Sequence, residues 1–356
     1  MEPDTNILPP SSSIHRLPRP RPVASAGRAA LVGAILLAGG GSFAYLRGWL
    51  SPPEVTADRM VDEFERVDGI HPGVRRNHAK GVGVSGYFDS NGQGVRLSDA
   101  AVFRLGRVPV IGRFSLSGGN PHAVAAAGTA RGMGLMFSPP GGGEWRTGML
   151  DLPVFPVRTP EAFLELMQAT GPDRQTALLA RHPEAARAAG VLQNRVISSG
   201  FANSTFHSLN AFRFTNEAGQ TIAVRWELVP ERPVTPADKP GGPDALFDAL
   251  FADLRDGPLR WHLVVIVGQP SDPTDDATVA WPADRERVDV GTFTVDRAEG
   301  DETSAATDIT FDPLVLPPGM APSDDPLLSA RSAIYSRAFL RRAGEAKSST
   351  TVGAGK

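Results

Sequence analysis

The sequence predicts an α+β protein in which one antiparallel sheet, closed on itself, carries helices at its side. Three observations point there. From Lys80 to about Thr159, apolar runs of strand length alternate with turn residues. Helical spacing is confined to stretches outside that region, and two further apolar runs at 211–228 are joined by a short turn in the manner of a hairpin. With 356 residues, 41% of them hydrophobic, the chain is long enough to bury a core around such a sheet.

Taken in order, residues 1–28 combine Pro9, Pro10, three serines from Ser11 and Arg16, Arg19 and Arg21, with no apolar periodicity, and read as a disordered basic tail. Ala29 to Leu46 is a run of 18 residues without a charge, between Arg28 and Arg47, with Tyr45 and Trp49 at its far end. It reads as an uncleaved membrane anchor or as an export signal cut near Ser42-Phe43-Ala44. Either way the arginines before it place everything after Leu50 outside the cytoplasm, so a membrane-anchored periplasmic or extracytoplasmic domain is expected, or an exported soluble one. After the Pro52-Pro53 linker, Val55, Met60, Val61, Phe64 and Val67 recur along one face of a short helix over 54–68.

Strands are expected at Gly81 to Phe88, Val108 to Leu116 and Gly132 to Phe137, the first closed by the turn Asp89-Ser90-Asn91-Gly92. Residues 160–190 are helical, opened by a Thr159 cap and Pro160 at the first helical position. Ala211 to Asn216 and Thr221 to Leu228 form the hairpin, across Glu217-Ala218-Gly219-Gln220. Strands at 258–268 and 290–295 and a helix from Asp324 to Arg342 complete a folded domain over 52–345, followed by a polar tail at 346–356.

The absence of cysteine excludes a disulfide scaffold, a cysteine zinc site, an iron–sulfur cluster and thiol catalysis. Residues 1–50 hold five arginines against two acids, so the remainder has 31 basic and 37 acidic side chains and is no nucleic-acid binder on electrostatic grounds. His71, His122, His182, His207 and His262 show no metal-ligand spacing. Gly81-Val82-Gly83-Val84-Ser85-Gly86 matches a dinucleotide fingerprint letter for letter, but Tyr87-Phe88-Asp89 continues as strand where that fingerprint needs a helix. Glycines alternating along a strand instead let a flat or bulky group approach the sheet.

Directly before them, Arg75-Arg76-Asn77-His78-Ala79-Lys80-Gly81 puts a histidine at the entrance of the glycine-rich strand. Near the C-terminus, Arg331 and Tyr335 stand at i, i+4 on one helix face, and only Tyr45 and Tyr87 exist besides Tyr335. A tyrosine phenolate can ligate haem iron, a guanidinium one turn away favours its ionised form, and a histidine on the other haem face can move protons on a peroxide.

The chain thus resembles the haem catalase superfamily, and within it the short catalase-related peroxidases that carry an N-terminal membrane segment. The resemblance rests on Arg75 to Gly81 with Gly86-Tyr87-Phe88, Val110 to Ser115, Ala130-Arg131-Gly132, Pro153-Val154-Phe155 with Arg158 and Phe163, Phe212 to Asn216, Val279-Ala280-Trp281-Pro282 and Arg331 to Tyr335, in family order over about 55–342. It implies a β-barrel core of about eight strands with flanking helices, haem b as cofactor, and a peroxidase that reduces hydrogen peroxide and small organic peroxides with an organic electron donor. By the same resemblance His78 is the distal proton acceptor and Ser115 its orienting partner. Tyr335 is the iron ligand and Arg331 its guanidinium partner, Arg75, Arg113 and Arg342 meet the propionates, and Phe163 stacks near the distal face.

Two departures from the family pattern matter. The distal asparagine of monofunctional catalases falls on Leu150, beside Asp151, so a hydrogen-bond donor near the peroxide is lost and peroxidase is favoured over efficient catalase activity. A histidine common before the Phe212 strand falls on Asn210, which alters tuning on the ligand side. The chain also lacks the long extensions of large catalases, which implies a shorter, more open channel. A role in oxidative-stress protection and assembly as a homo-oligomer are compatible with the family. Rearrangement of a fatty-acid hydroperoxide, as in catalase-like allene oxide synthases, and a non-catalytic haem- or lipid-binding barrel stand as alternatives on the same scaffold.

Overall fold

The computed structural model describes residues 55–124, 128–237, 241–346 and residue 352. The expectations for residues 1–46, and for nearly all of the C-terminal tail, lie outside these residues. Ten strands are described: β1 (Gly81–Ser90), β2 (Gly106–Leu116), β3 (Arg131–Phe137), β4 (Trp145–Leu150), β5 (Phe206–His207), β6 (Phe212–Thr215), β7 (Thr221–Pro230), β8 (Leu259–Val267), β9 (Arg287–Gly300) and β10 (Met320–Pro322). The first four form an antiparallel meander. β5 links β4 to β7, β7 pairs with β8, β8 with β9, and β9 returns to β1. Eight antiparallel strands therefore close into a barrel, while β6 and β10 extend the sheet beside β7. Closure leaves those eight strands with no free edge to manage.

Six α-helices surround it among the described residues: α1 (Ala57–Asp68), α2 (Pro160–Gln168), α3 (Pro172–Arg181), α4 (Pro183–Gln193), α5 (Ala245–Asp256) and α6 (Pro326–Ala343). The caps are those the sequence offers. The Thr159 side chain accepts from the Ala162 amide ahead of Pro160, and Asp325 accepts from Leu327 ahead of Pro326. The helical stretch expected over 160–190 is three helices, because Pro172 and Pro183 have no N–H to continue a ladder and each starts a new one. β4 and α5 are additional to the expected elements, although in α5 Leu246, Phe247, Leu250, Phe251 and Leu254 do recur at helical spacing. In β4, Arg146 and Gly148 interrupt the apolar run, although its residues alternate buried and half-buried. β9 is longer than expected because its polar end, including Arg297 and Glu299, is held in register opposite Ser85 and Gly83.

Inside the barrel, alternation points Val82, Phe88, Phe114, Met133, Leu135, Phe137, Trp145 and Met149 into one core with Trp226 and Trp261. The rings interlock. Phe137 stacks on Trp145 at 4.6 Å, and Trp145 meets Trp226 edge-on at 5.1 Å, pairs worth about 0.5–1.5 kcal/mol each beyond their buried area. α1 lies against α6 through an ion-pair cluster in which Arg341 reaches Asp58, Asp62 and Glu65. It meets α2 through Phe64 and Phe163, whose rings are 6.4 Å apart. Among the described residues no helix is long and apolar enough to cross a membrane.

Candidate active site

The same alternation that fills the barrel leaves a different set of residues on its outer face. Gly81, Ser115, Gly132 and Leu150 pair in turn across β1 to β4, and Gly83, Arg113, Gly134 and Gly148 form the neighbouring rung. Two such same-face rungs stand about 7 Å apart along the strands. The glycines strip side chains from this patch. Above it lies a cavity of about 430 Å³, with Met60 and Phe64 of α1, Phe163 and Met167 of α2, and Arg331 and Tyr335 of α6 among its walls. All eight site residues expected from the sequence, Arg75, His78, Arg113, Ser115, Phe163, Arg331, Tyr335 and Arg342, line this one cavity.

His78 precedes β1, and its Nδ1 lies 3.1 Å from the Ser115 Oγ. A side chain on Gly132 would enter this pair, since a Cβ there would come within 2.8 Å of the serine oxygen and 2.9 Å of Nδ1. Burial, and then the positive charges of Arg113, Arg331 and Arg75, depress the imidazole pKa from 6.5 to about 3. The ring is therefore neutral at physiological pH, and its Nε2 has no hydrogen-bond partner among the described residues.

Over the neighbouring rung, Arg331 donates to the Gly148 carbonyl at 2.8 Å and to the Tyr335 hydroxyl at 3.4 Å. It also donates to the Asn210 Oδ1 at 2.6 Å, and Asn210 donates in turn to Asp325 at 2.7 Å. Asn210, read from the sequence only as a replaced histidine, is thus the link that ties Arg331 to the cap of its own helix. Gly148 is bare for the same reason as Gly132: a Cβ would lie 3.0 Å from the Arg331 guanidinium.

A third group is cationic. Arg75 donates to the carbonyls of Ala306, Thr307 and Ile309, and Arg342 to that of Thr307. Arg113 donates to the His78 and Ala79 carbonyls and pairs with Asp301. Burial, then the like charges of Arg113 and Arg342, lower the pKa of Arg75 well below its usual value, and burial followed by Arg113 lowers that of Arg342. Three guanidiniums thus converge near two carboxylates, Asp301 and, beside Arg342, Asp308. Asp301 carries no sequence signal, because it is brought to Arg113 from 188 residues away.

Phe163 packs edge-on against Phe64 and at 5.5 Å from Phe155 on the apolar side of the cavity. Leu150 lines the cavity in the same rung as Ser115 and Gly132. Asp151 does not take its place: its carboxylate accepts from the Arg131 amide at 2.7 Å, outside the lining. The remaining histidines stand elsewhere, and His182, His207 and His262 meet carboxylates that linear spacing does not reveal.

Comparison with known proteins gives a consistent set of relatives. The catalase family model matches residues 59–354. A catalase-related peroxidase of Synechococcus elongatus is 36% identical over 301 residues, covering 81% of this chain and 89% of the relative. One of Mycolicibacterium paratuberculosis is 34% identical, covering 82% and 96%. Among solved structures, a fungal catalase superposes with a TM-score of 0.68 at 20% identity over 82% of this chain, and catalase A from Saccharomyces cerevisiae with 0.68 at 19%. The chain spans 64% and 66% of the length of those two catalases.

Proposed function

The chain belongs to the catalase family, and from that premise we propose that it is an oxidoreductase acting on peroxide, a haem-dependent peroxidase that reduces hydrogen peroxide and small organic hydroperoxides with an organic electron donor. The observation that carries this reading is the cavity that holds the His78–Ser115 pair and the Arg331–Tyr335 pair over adjacent rungs of the sheet.

The residues fit haem. The glycines let His78, Phe311 and Arg331 lie close against the outer sheet face, where all three line the cavity, the Tyr335 oxygen is a metal donor held beside a guanidinium, and Arg75, Arg113 and Arg342 outnumber the Asp301 and Asp308 carboxylates near them, which leaves positive charge for propionates to meet. In this assignment Tyr335 is the iron ligand, the three arginines hold the propionates, and the haem is of the b type. When bound, haem supplies the redox equivalents for splitting the peroxide bond and oxidising the donor.

His78 acts on the proton. Kept neutral, it takes the hydroperoxide proton at Nε2 and returns it to the departing oxygen, which leaves as water or an alcohol. Ser115 holds Nδ1 and so fixes the ring. Arg331 donates to the Tyr335 hydroxyl oxygen and holds it in place. Phe163, Leu150 and the α1 side chains exclude water. With Leu150 in place of a hydrogen-bond donor, a second hydrogen peroxide is poorly oriented, so two one-electron oxidations of an organic donor complete the cycle and oxygen evolution is weak.

The proposal extends to location. The uncharged run from Ala29 to Leu46, flanked by Arg28 and Arg47, supports a membrane anchor or export signal with the peroxidase domain beyond the cytoplasm. Membrane fractionation and the N-terminal sequence of the mature protein test it. For the activity, the haem-loaded chain is mixed with hydrogen peroxide with and without a phenolic donor. A high-spin ferric tyrosinate spectrum, fast donor oxidation and little oxygen support the proposal. Vigorous oxygen evolution without donor makes the protein a catalase, and a chain that stays colourless removes the assignments of Tyr335 and His78 together.

A further inference from the structure

Asn77 lines the cavity but takes no part in the chemistry above. We propose that Asn77 is a positioning residue, whose side-chain oxygen holds the His78 backbone in the left-handed conformation that places the imidazole on Ser115. The inference rests on the reading of His78 as the proton acceptor.

His78 and Leu209 are the only non-glycine residues with positive φ among the described residues, and His78 has φ 56°. That region is sparsely populated for any residue with a Cβ, so a histidine stays there only where its surroundings impose it. Asn77 supplies the constraint. Its Oδ1 accepts from the His78 amide at 2.8 Å and from the Gly118 amide at 2.9 Å. Two converging N–H donors identify the atom as the oxygen and leave no choice of amide orientation.

The clamp acts on the right partner. Gly118 follows β2 three residues after Ser115, the Ala79 amide donates to the Gly118 carbonyl at 2.9 Å, and the Leu116 amide donates to Lys80 at 2.9 Å. Residues 77–81 are therefore laced to the segment that carries the serine hydroxyl. The His78 carbonyl is held from the other side by Arg113 at 2.6 Å. With the amide held by Asn77 and the carbonyl by Arg113, neither of the two peptide units flanking the His78 Cα can rotate without breaking one of these bonds. Return of His78 to negative φ would redirect its Cα–Cβ bond and take the ring off Ser115. An amide side chain does this without charge, so it accepts both N–H groups while leaving the neutral imidazole undisturbed.

The test uses the full chain, haem-free and haem-loaded, with Asn77→Leu and Asn77→Asp, the second keeping an acceptor oxygen in place. In haem-free Asn77→Leu, hydrogen exchange of the His78 and Gly118 amides is expected to quicken about 10-fold. In the loaded variant, kcat for hydrogen peroxide with a phenolic donor is expected to fall roughly 100-fold, with the KM for the donor and the visible spectrum unchanged. Asn77→Asp should restore protection of both amides, while its charge beside the imidazole keeps the rate below that of the wild type. Unchanged exchange or an unchanged rate in Asn77→Leu, or a failure of Asn77→Asp to restore protection, overturns the proposal. Should Asn77→Leu not fold, Asn77→Ala, which adds no volume, carries the same comparison. A His78→Ala variant run alongside separates the two levels: if it is as fast as wild type the reading of His78 itself fails, whereas the exchange rates judge the clamp without reference to peroxide chemistry.

Discussion

The imidazole of His78 sits where a side chain on Gly132 would be, with only 2.9 Å between a Cβ placed there and Nδ1. A methyl group at that position forces the ring or the Ser115 hydroxyl to move. Gly132→Ala is therefore expected to lower peroxide turnover roughly 100-fold, the cost of a misplaced reacting group. The fold should survive with a Tm change within about 4 °C. Peroxide kinetics and a thermal melt on the same preparation check both halves, and full activity would mean that this placement of His78 is not the reacting one.

The depressed pKa of His78 makes a prediction about pH. An unfolded histidine titrates near 6.5, whereas burial and the charges of Arg113, Arg331 and Arg75 bring the folded value to about 3. Between those values the unfolded chain binds one more proton at this position, so its contribution to stability is full above pH ~6.5 and is lost as pH falls toward ~3. His78→Gln should flatten the stability slope in that window, measured by denaturant titration. Peroxide turnover of the wild type should stay level down to pH ~4, and an acid limb near 6.5 would contradict the neutral imidazole.

Leu150 gives a change of reaction balance. It faces the cavity from the rung that holds Ser115 and Gly132, and Asp151 is turned to the Arg131 amide. Leu150→Asn restores a donor beside the peroxide and should raise oxygen evolution from hydrogen peroxide about 10-fold relative to donor oxidation. An oxygen electrode and a donor assay on the same enzyme measure the ratio, and no change would place the selectivity elsewhere in the cavity.

Asn210 tests the ligand side. It joins Arg331 to Asp325, whose pKa is raised by burial despite the hydrogen bond from Asn210. Asn210→Ala leaves the buried Asp325 and the half-buried Arg331 each short of a bond, at about 1–3 kcal/mol for the buried group. It should speed haem transfer to excess apomyoglobin about 10-fold by loosening Arg331 at Tyr335. Arg331→Leu should do more, and equal haem retention in both variants would show that Tyr335 needs no guanidinium.

How far the site was legible in the chain depended on whether its parts were near one another in sequence. Arg331 and Tyr335 share a helix face, and Arg75 and His78 stand just before the strand with alternating glycines, so local patterns display them. Asn210, Asp301 and Asn77 are different. Each acts through partners that reach it only when the barrel closes or a loop turns, as Asp301 reaches Arg113 across 188 residues. β4 escaped for a simpler reason, because an arginine and a glycine dilute its apolar pattern, whereas α5 is legible in the helical spacing of Leu246, Phe247, Leu250, Phe251 and Leu254, although it is not among the expected elements.

By itself the sequence determined the fold class, the alternating glycines of β1, three strands of the meander and the hairpin, because alternation, caps and turn residues are local properties of the chain, and resemblance to a family added the side chains proposed for the chemistry. Tertiary structure decided what those side chains touch. Only the closure of β7 on β8 and the docking of α1, α2 and α6 over the outer face bring His78 and Tyr335 into one cavity, lower the imidazole pKa by burial among arginines, and turn Asp151 away from it. Burial and charge proximity are sums over contacts distant in sequence, and no local window of the chain contains them.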